Sequence, residues 1–432
     1  MAIKKITVSN FRSFDSLNVD LSRLNILIGA NASGKSNFIQ IFKFLKDLAG
    51  YGLDHAISMQ GGAEYLLNRR LGSSRDLCIE VVSDQILQVN RPSWEKRAKR
   101  ILSYEVTETS YRFALVFSAQ LKRFQIVNDV LKQKCKFYSH TKGEGKSYVD
   151  ECLGEGEITV DSQKRAPKVS MRLPSGLSEK ELLDNIFELN VWLEIVKRTR
   201  FKPRQLYLES SSFPAFVDPY EIGSPLRKTM ENISIYDFDP RLSKKAQPLT
   251  GLAALESDGS NLAIVVRNLL KVKSKRQQFY NLISDVMPFV QEFGVQNIAD
   301  TILLTLRENY AKGKSFPAFL LSDGTINLTA LIISLFFEDR SVKIIEEPER
   351  NIHPYLISKV VNLMREASLS TQIITTTHNP EVVRHANVND ILVVSRSREG
   401  FSEVQRPADK QRIQAFLEDE MGLDDLYVQN LL

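Results

Sequence analysis

The chain has 432 residues, 43% of them hydrophobic and 25% charged, which suffices for one large or two medium cores and excludes a disordered or fibrous polymer. Its formal net charge of +5 is small for this length, so any contact with nucleic acid has to come from local patches. Cys78, Cys135 and Cys152 stand far apart without a CxxC pair, which argues against a zinc knot or disulfide framework and favours a reducing cytoplasm.

The N-terminus opens on the alternating strand Ile3 to Val8 rather than on a charged and then apolar leader. No apolar run approaches membrane-spanning length, so a cytoplasmic chain that makes no use of a membrane is expected. The alternation breaks at residues 9–14 and resumes over Leu17 to Leu21, which predicts a hairpin next to the strand that follows. Arg12 sits on the break, where it either faces a nucleotide or is a solvated loop cation.

Arg23 to Ile28 reads as a buried strand, and Asn37 to Leu48 has helical apolar spacing. Between them, Gly29-Ala30-Asn31-Ala32-Ser33-Gly34-Lys35-Ser36 fits the phosphate-loop pattern GxxxxGK[ST] without a mismatch. Gly29 and Gly34 permit backbone angles that a Cβ would block, so successive N–H groups can turn inward around an anion. The helix N-terminus behind them favours phosphate. In this pattern Lys35 reaches the β- and γ-phosphates and Ser36 holds Mg²⁺ through its hydroxyl.

Gln60-Gly61-Gly62 interrupts an amphipathic stretch from His55 to Arg70. Gln60 is either a sensor of Mg²⁺ or of the attacking water, or part of a turn. From Asp76 to about Asp161, short alternating runs predict an antiparallel β layer, with loop tips at 140–146 and 154–156. Ser178 caps a helix predicted over 178–200, with Glu181 as capping-box partner.

Three basic clusters follow the same logic. They are Arg91, Lys96, Arg97, Lys99 and Arg100; Lys197, Arg198, Arg200, Lys202 and Arg204; and Lys271, Lys273, Lys275 and Arg276. Each is either a phosphate-binding patch for DNA or RNA or a solvated helix face. Helices are predicted over 262–272 and 274–287. No heptad pattern persists, so the middle of the chain is a compact insertion rather than a coiled-coil arm.

The last third holds the remaining chemistry. Ser322-Asp323-Gly324-Thr325 leads into an apolar helix, and so places a second anion-binding N-terminus. Val342 to Ile345 is a short buried strand ending in Glu346-Glu347-Pro348-Glu349, where the first carboxylate can order a magnesium shell and the second can orient water. Thr371 to Thr377 is a β-branched strand ending at His378, which is well placed to bond a γ-phosphate.

Taken together, the stretches 10–14, 29–37, 321–325, 344–354 and 375–380 resemble the ABC-type ATPase heads of the RecF/SMC class. The nearest likeness is to the compact bacterial branch that includes the ATPase part of the OLD (overcoming lysogenization defect) family. The resemblance covers roughly residues 1–85 and 300–430. It implies an α/β P-loop NTPase, an ABC/SMC-head-like split ATPase core with an antiparallel β layer and an α-helical insertion. The chain would then divide into an N-terminal lobe (1–85), the insertion (86–299) and a C-terminal lobe (300–432).

What the resemblance implies carries over by position. The nucleotide contacts fall on Arg12, Asn31, Ala32, Ser33, Gly34, Lys35, Ser36 and Asn37, and on the signature residues Ser322, Asp323 and Gly324, which act on a partner's ATP across a dimer. The magnesium positions are Ser36, Gln60 and Glu346; the catalytic ones are Lys35, Glu347 and the switch residue His378. The cofactors are ATP and Mg²⁺, and the partners a second copy of the chain or a higher homo-oligomer. The segment Arg350 to His353 departs from the small-residue loop that follows this strand in transporters. The stretch after His378 is too short for the Toprim nuclease that OLD proteins carry, so a nuclease or toxin effector would be a separate chain. An ATPase controlling such an effector in anti-phage defence, a nucleotide-gated scaffold with slow turnover, and a repair clamp on DNA are the competing functions.

Overall fold

The computed structural model describes residues 2–89, 100–120, 123–142, 148–162, 167–198, 204–209, 224–311 and 313–407. Of the basic clusters, Arg91, Lys96, Arg97, Lys99, Arg200 and Lys202 lie outside these residues, as does most of the loop tip expected at 140–146. The chain forms two discontinuous compact units, one made of 1–21, 36–232 and 396–403, the other of 22–35, 233–395 and 404–432.

The first unit is built on a seven-stranded sheet in the order Phe14–Asp20, Ala2–Phe11, Leu77–Val89, Arg100–Phe117, Phe124–Lys142, Tyr148–Asp161 and Lys168–Arg172. All six pairings are antiparallel, as the alternating runs predict. The helix Lys35–Tyr51 lies on this sheet, with the Phe44 ring 6.1 Å from Phe11 and 6.5 Å from Phe113. Ser178 caps the helix Glu179–Asn185 by accepting from Glu181 N at 3.1 Å.

Two expectations fail here. The hairpin of residues 2–20 pairs with Leu77–Val89, not with the phosphate-loop strand, which belongs to another sheet. Gly154 and Gly156 are not a loop tip but lie inside the strand Tyr148–Asp161. A Cβ on Gly156 would stand 2.3 Å from the carbonyl oxygen of Arg172 and 2.8 Å from the Phe137 ring, so glycine serves close packing between strands there rather than a turn.

The second unit is organised by five parallel strands in the order Ile391–Arg396, Leu24–Ile28, Gln372–Thr376, Val342–Glu346 and Ile233–Tyr236. Leu24–Ile28 and Gln372–Thr376 are buried at every position, as strands covered on both faces must be. The helices Leu262–Lys271, Lys273–Val286, Asp323–Phe336 and Ile357–Ser368 supply much of the same core. Ile233–Tyr236 was not read as a strand from the sequence, although it forms one edge of this sheet. Among the described residues no helix is long and apolar enough to cross a membrane.

Candidate nucleotide site

Four adjacent strands of the parallel sheet end in polar groups at their carboxyl ends, where open α/β sheets place ligands. Leu24–Ile28 runs into Gly29, Gln372–Thr376 into His378, and Ile233–Tyr236 into Asp237, while Val342–Glu346 ends in Glu346 and Glu347.

The phosphate loop closes tightly. Ser33 N donates to Ala30 O at 3.2 Å, and Ala32 and Gly34 have φ of 62° and 122°. A Cβ on Gly29 would meet Val394 O at 2.2 Å, so only glycine fits against the neighbouring strand. Asn31 and Ala32 are exposed on the loop while Ser33 and Gly34 are buried. Lys35 turns back over the loop and donates from Nζ to Gly29 O at 2.7 Å and Ala30 O at 3.1 Å. Its ammonium thus rests on carbonyls at the mouth of the loop.

Beside it, Glu347 Oε1 pairs with His378 Nδ1 at 2.9 Å, and Glu347 Oε2 accepts from Arg350 Nε and Nη2 at 3.2 and 3.1 Å. Arg350 Nη1 reaches Asp237 Oδ1 at 2.9 Å. Glu349 is buried and accepts from the Thr377 hydroxyl, whose oxygen in turn accepts from Asn379 N at 3.0 Å. The acidic turn and the histidine turn are therefore tied together twice, at Glu347 and at Glu349.

Ser322 is exposed and caps the helix Asp323–Phe336, accepting from Thr325 N at 3.1 Å. Asp323 is paired with Lys244. Gly324 packs on the acidic turn, where a Cβ would stand 2.5 Å from Asn351 O.

In the first unit, Arg12 has φ of 47° and donates from Nη2 to Gln60 Oε1 at 2.6 Å. Arg12 is half-buried and Gln60 buried at the end of the helix Leu53–Met59, and among the described residues neither Arg12 Nε nor Gln60 Nε2 finds a hydrogen-bond partner. Arg12 is thus not a freely solvated cation. Ser36 is exposed in the first turn of its helix, and Asn37 Nδ2 donates to Ser13 Oγ at 2.8 Å.

Residues 1–383 match the AAA ATPase domain family. The chain belongs to that family. Among curated relatives of this AAA ATPase domain, endonuclease GajA of Bacillus cereus (strain VD045) is 40% identical over 47 residues, 11% of this chain and 8% of its own. The Septu protein PtuA of Bacillus thuringiensis is 28% identical over 88 residues, 19% of this chain and 22% of its own. The matched stretches therefore span less than a quarter of either relative. Among solved structures, the SMC head bound to the C-winged helix domain of ScpA aligns over 94% of this chain and 98% of its own, at 14% identity and TM-score 0.47. The SMC head with an extended coiled coil bound to the C-terminal domain of ScpA, derived from Pyrococcus furiosus, aligns over 96% and 99%, at 15% identity and TM-score 0.44.

The electrostatics of the candidate site follow from burial. Desolvation lowers the Lys35 pKa from its ordinary value, and the negative charge of Glu347 opposes that shift. Burial raises the Glu346 carboxyl, and the neighbouring charge of Asp237 raises it further. Both effects relax when a cation arrives, which suits Glu346 to a metal shell. Among the described residues no group of three or more His, Cys, Asp or Glu side chains is arranged to hold a metal by itself.

Sequence reasoning missed Asp237 and the use of Arg350. The signal for Asp237 was present, since Ile233-Ser234-Ile235-Tyr236-Asp237 repeats the apolar-strand-then-acid pattern of Val342 to Glu346. Of the basic clusters, Lys197 and Arg198 lie 3.6 and 3.5 Å from Glu194, and Arg204 lies 3.8 Å from Asp54. Lys271, Lys273, Lys275 and Arg276 are all exposed.

Proposed function

We propose that this AAA ATPase domain hydrolyses ATP at the ends of the parallel strands, and that ATP-dependent pairing of two copies controls a separate effector. The observation that carries the reading is Glu347, set between His378 and Arg350 on the sheet that also carries the phosphate loop. The loop fits a polyphosphate because Gly29 leaves no room for a side chain and Lys35 holds its charge on the loop carbonyls.

On binding, the Lys35 ammonium exchanges those carbonyls for β- and γ-phosphate oxygens. Glu347 accepts the proton of a water whose oxygen bonds to the γ-phosphorus while the bond to the β–γ bridging oxygen breaks, leaving ADP and phosphate. His378 donates to a γ-phosphate oxygen and so holds the group being transferred. Ser36, Gln60 and Glu346 are the residues that would hold Mg²⁺, which supplies charge neutralisation at the phosphate oxygens. Arg12, Asn31, Ala32, Ser33, Gly34 and Asn37 complete the nucleotide contacts in this reading. Ser322, Asp323 and Gly324 cap the nucleotide of the second copy.

The effector would be a nuclease or toxin, in keeping with a relative named as an endonuclease, and the setting cytoplasmic anti-phage defence, as the likeness to the OLD family suggests. DNA or RNA stays open as a ligand through Lys271, Lys273, Lys275 and Arg276. If they hold phosphates, affinity falls linearly on a log–log plot against salt. A second reading, in which nucleotide binding is the signal and turnover only resets it, draws on the hold that Arg350 has on Glu347.

Light scattering of Glu347→Gln with and without ATP and Mg²⁺ tests the pairing. The reading expects a dimer with nucleotide, dissolved by adding Ser322→Arg. One oligomeric state under all conditions would contradict it.

A further inference from the structure

The turn after the acidic strand carries a guanidinium that hydrolysis by Glu347 does not require. Arg350 gives two N–H groups to Glu347 Oε2 and a third to Asp237 Oδ1 at 2.9 Å. The planar fork makes this contact directional rather than a diffuse attraction. With His378 on Oε1, three of the carboxylate's roughly four lone-pair positions are taken. A water that gives its proton to Glu347 competes with donors already in place.

The backbone beneath is set with equal care. Glu347 has φ of 45°, a left-handed angle for a residue with a Cβ, and is fixed by its N–H on Thr376 O at 3.0 Å and its carbonyl on Arg350 N at 2.9 Å.

The same turn is fastened to the helix that Ser322 caps. The buried Asn327 donates from Nδ2 to Arg350 O at 2.8 Å, and Gly324 packs against the carbonyl of Asn351. A shift of that helix end therefore pulls on the main chain of the residue holding Glu347. Asp237 gives the guanidinium a carboxylate to stay on, so leaving Glu347 does not strand the cation.

We propose that Arg350 is a positioning residue that latches Glu347 in a resting orientation, and that displacement of the helix end at Ser322 releases the carboxylate for hydrolysis. The inference rests on Glu347 being the hydrolytic base. It makes the exposed Ser322 end of the helix the input and the Glu347 carboxylate the output of one two-state element, coupled in both directions.

The test is ATP turnover by the full chain, followed across protein concentrations for wild type, Arg350→Ala, Arg350→Lys, Glu347→Gln and the double variant Glu347→Gln/Arg350→Ala. Affinity for a fluorescent ATP analogue is measured beside it. Arg350→Ala is expected to raise kcat several-fold with KM unchanged and to flatten the dependence of rate on protein concentration. Arg350→Lys, which keeps the charge without the fork, should fall between, and the double variant should be inert. A kcat that Arg350→Ala lowers or leaves unchanged overturns the latch. If Arg350→Ala does not bind nucleotide, Asn327→Ala replaces it, since that change loosens the turn without touching the carboxylate; no rise in kcat there overturns the latch equally. Failure of the underlying reading looks different: wild type has no turnover, or Glu347→Gln turns over as fast as wild type.

Discussion

Glu347 Oε1 and His378 Nδ1 lie 2.9 Å apart although 31 residues separate them in the chain. The pair meets because Val342–Glu346 and Gln372–Thr376 are parallel neighbours in register, with Glu346 opposite Thr376, so Glu347, one residue past its strand, and His378, two past its own, emerge on the same edge. The buried Glu349 and Thr377 repeat the connection one layer below. The two loops are thus joined twice, which holds the Glu347 carboxylate in place as the proposed water-orienting role requires.

Lys35→Ala removes the only cation within the phosphate loop. Because the ammonium rests on Gly29 O and Ala30 O in the free protein, its loss should leave folding nearly unchanged while ATP affinity falls and turnover is abolished. Calorimetric titration with ATP checks this; affinity and turnover equal to those of wild type would contradict the loop's assignment.

Gly29 in that loop and Gly50, near the far end of the helix that follows it, should answer oppositely to alanine. At Gly29 the new methyl would stand 2.2 Å from Val394 O, and the forced repacking should cost about 1–3 kcal/mol and weaken nucleotide binding. At Gly50, in the helix Lys35–Tyr51, an added Cβ would meet no atom of the described residues within 4 Å beyond the helix's own backbone, and alanine should stabilise by about 0.5–1 kcal/mol through helix propensity. Thermal unfolding of the two variants separates the effects.

The first unit buries two carboxyl groups whose pKa burial lifts to about 7, Asp129 from 3.8 and Glu209 from 4.5. The folded state holds these protons more tightly than the unfolded chain, so the stability these two groups contribute is greatest at acid pH and declines as pH rises toward 7. Asp129→Asn with Glu209→Gln should flatten this part of the stability curve. An equally steep decline in the double variant would contradict the assignment.

Lys343, buried within the acidic strand and donating to Leu335 O at 2.7 Å, has the opposite sign. Burial lowers its pKa from 10.5 to about 8, so the unfolded chain binds the proton more tightly. Stability contributed by this group grows from about pH 8 toward 10.5 and is lost as pH falls through 8. Lys343→Met should remove that slope in chemical denaturation series.

The three strands that announce themselves in the sequence are those ending in diagnostic residues. Gly29 to Ser36, Glu346 with Glu347, and His378 each follow a buried apolar run, and each lies at the end of a strand in one sheet. Ile233–Tyr236 escaped because four residues are too few to display a period. The grip of Arg350 on Glu347 was illegible for another reason: its second partner, Asp237, lies 113 residues upstream, and only the sheet order brings them together. Gly154 and Gly156 were misread because glycine marks close packing as readily as a turn.

The most direct test of the account is phosphate release from ATP by wild type and Glu347→Gln, with bound nucleotide quantified in the same samples. Wild type should release phosphate, and the variant should lose about 10²- to 10⁴-fold in rate, the usual contribution of a positioned base, while retaining ATP. Release by Glu347→Gln at the wild-type rate would contradict the account.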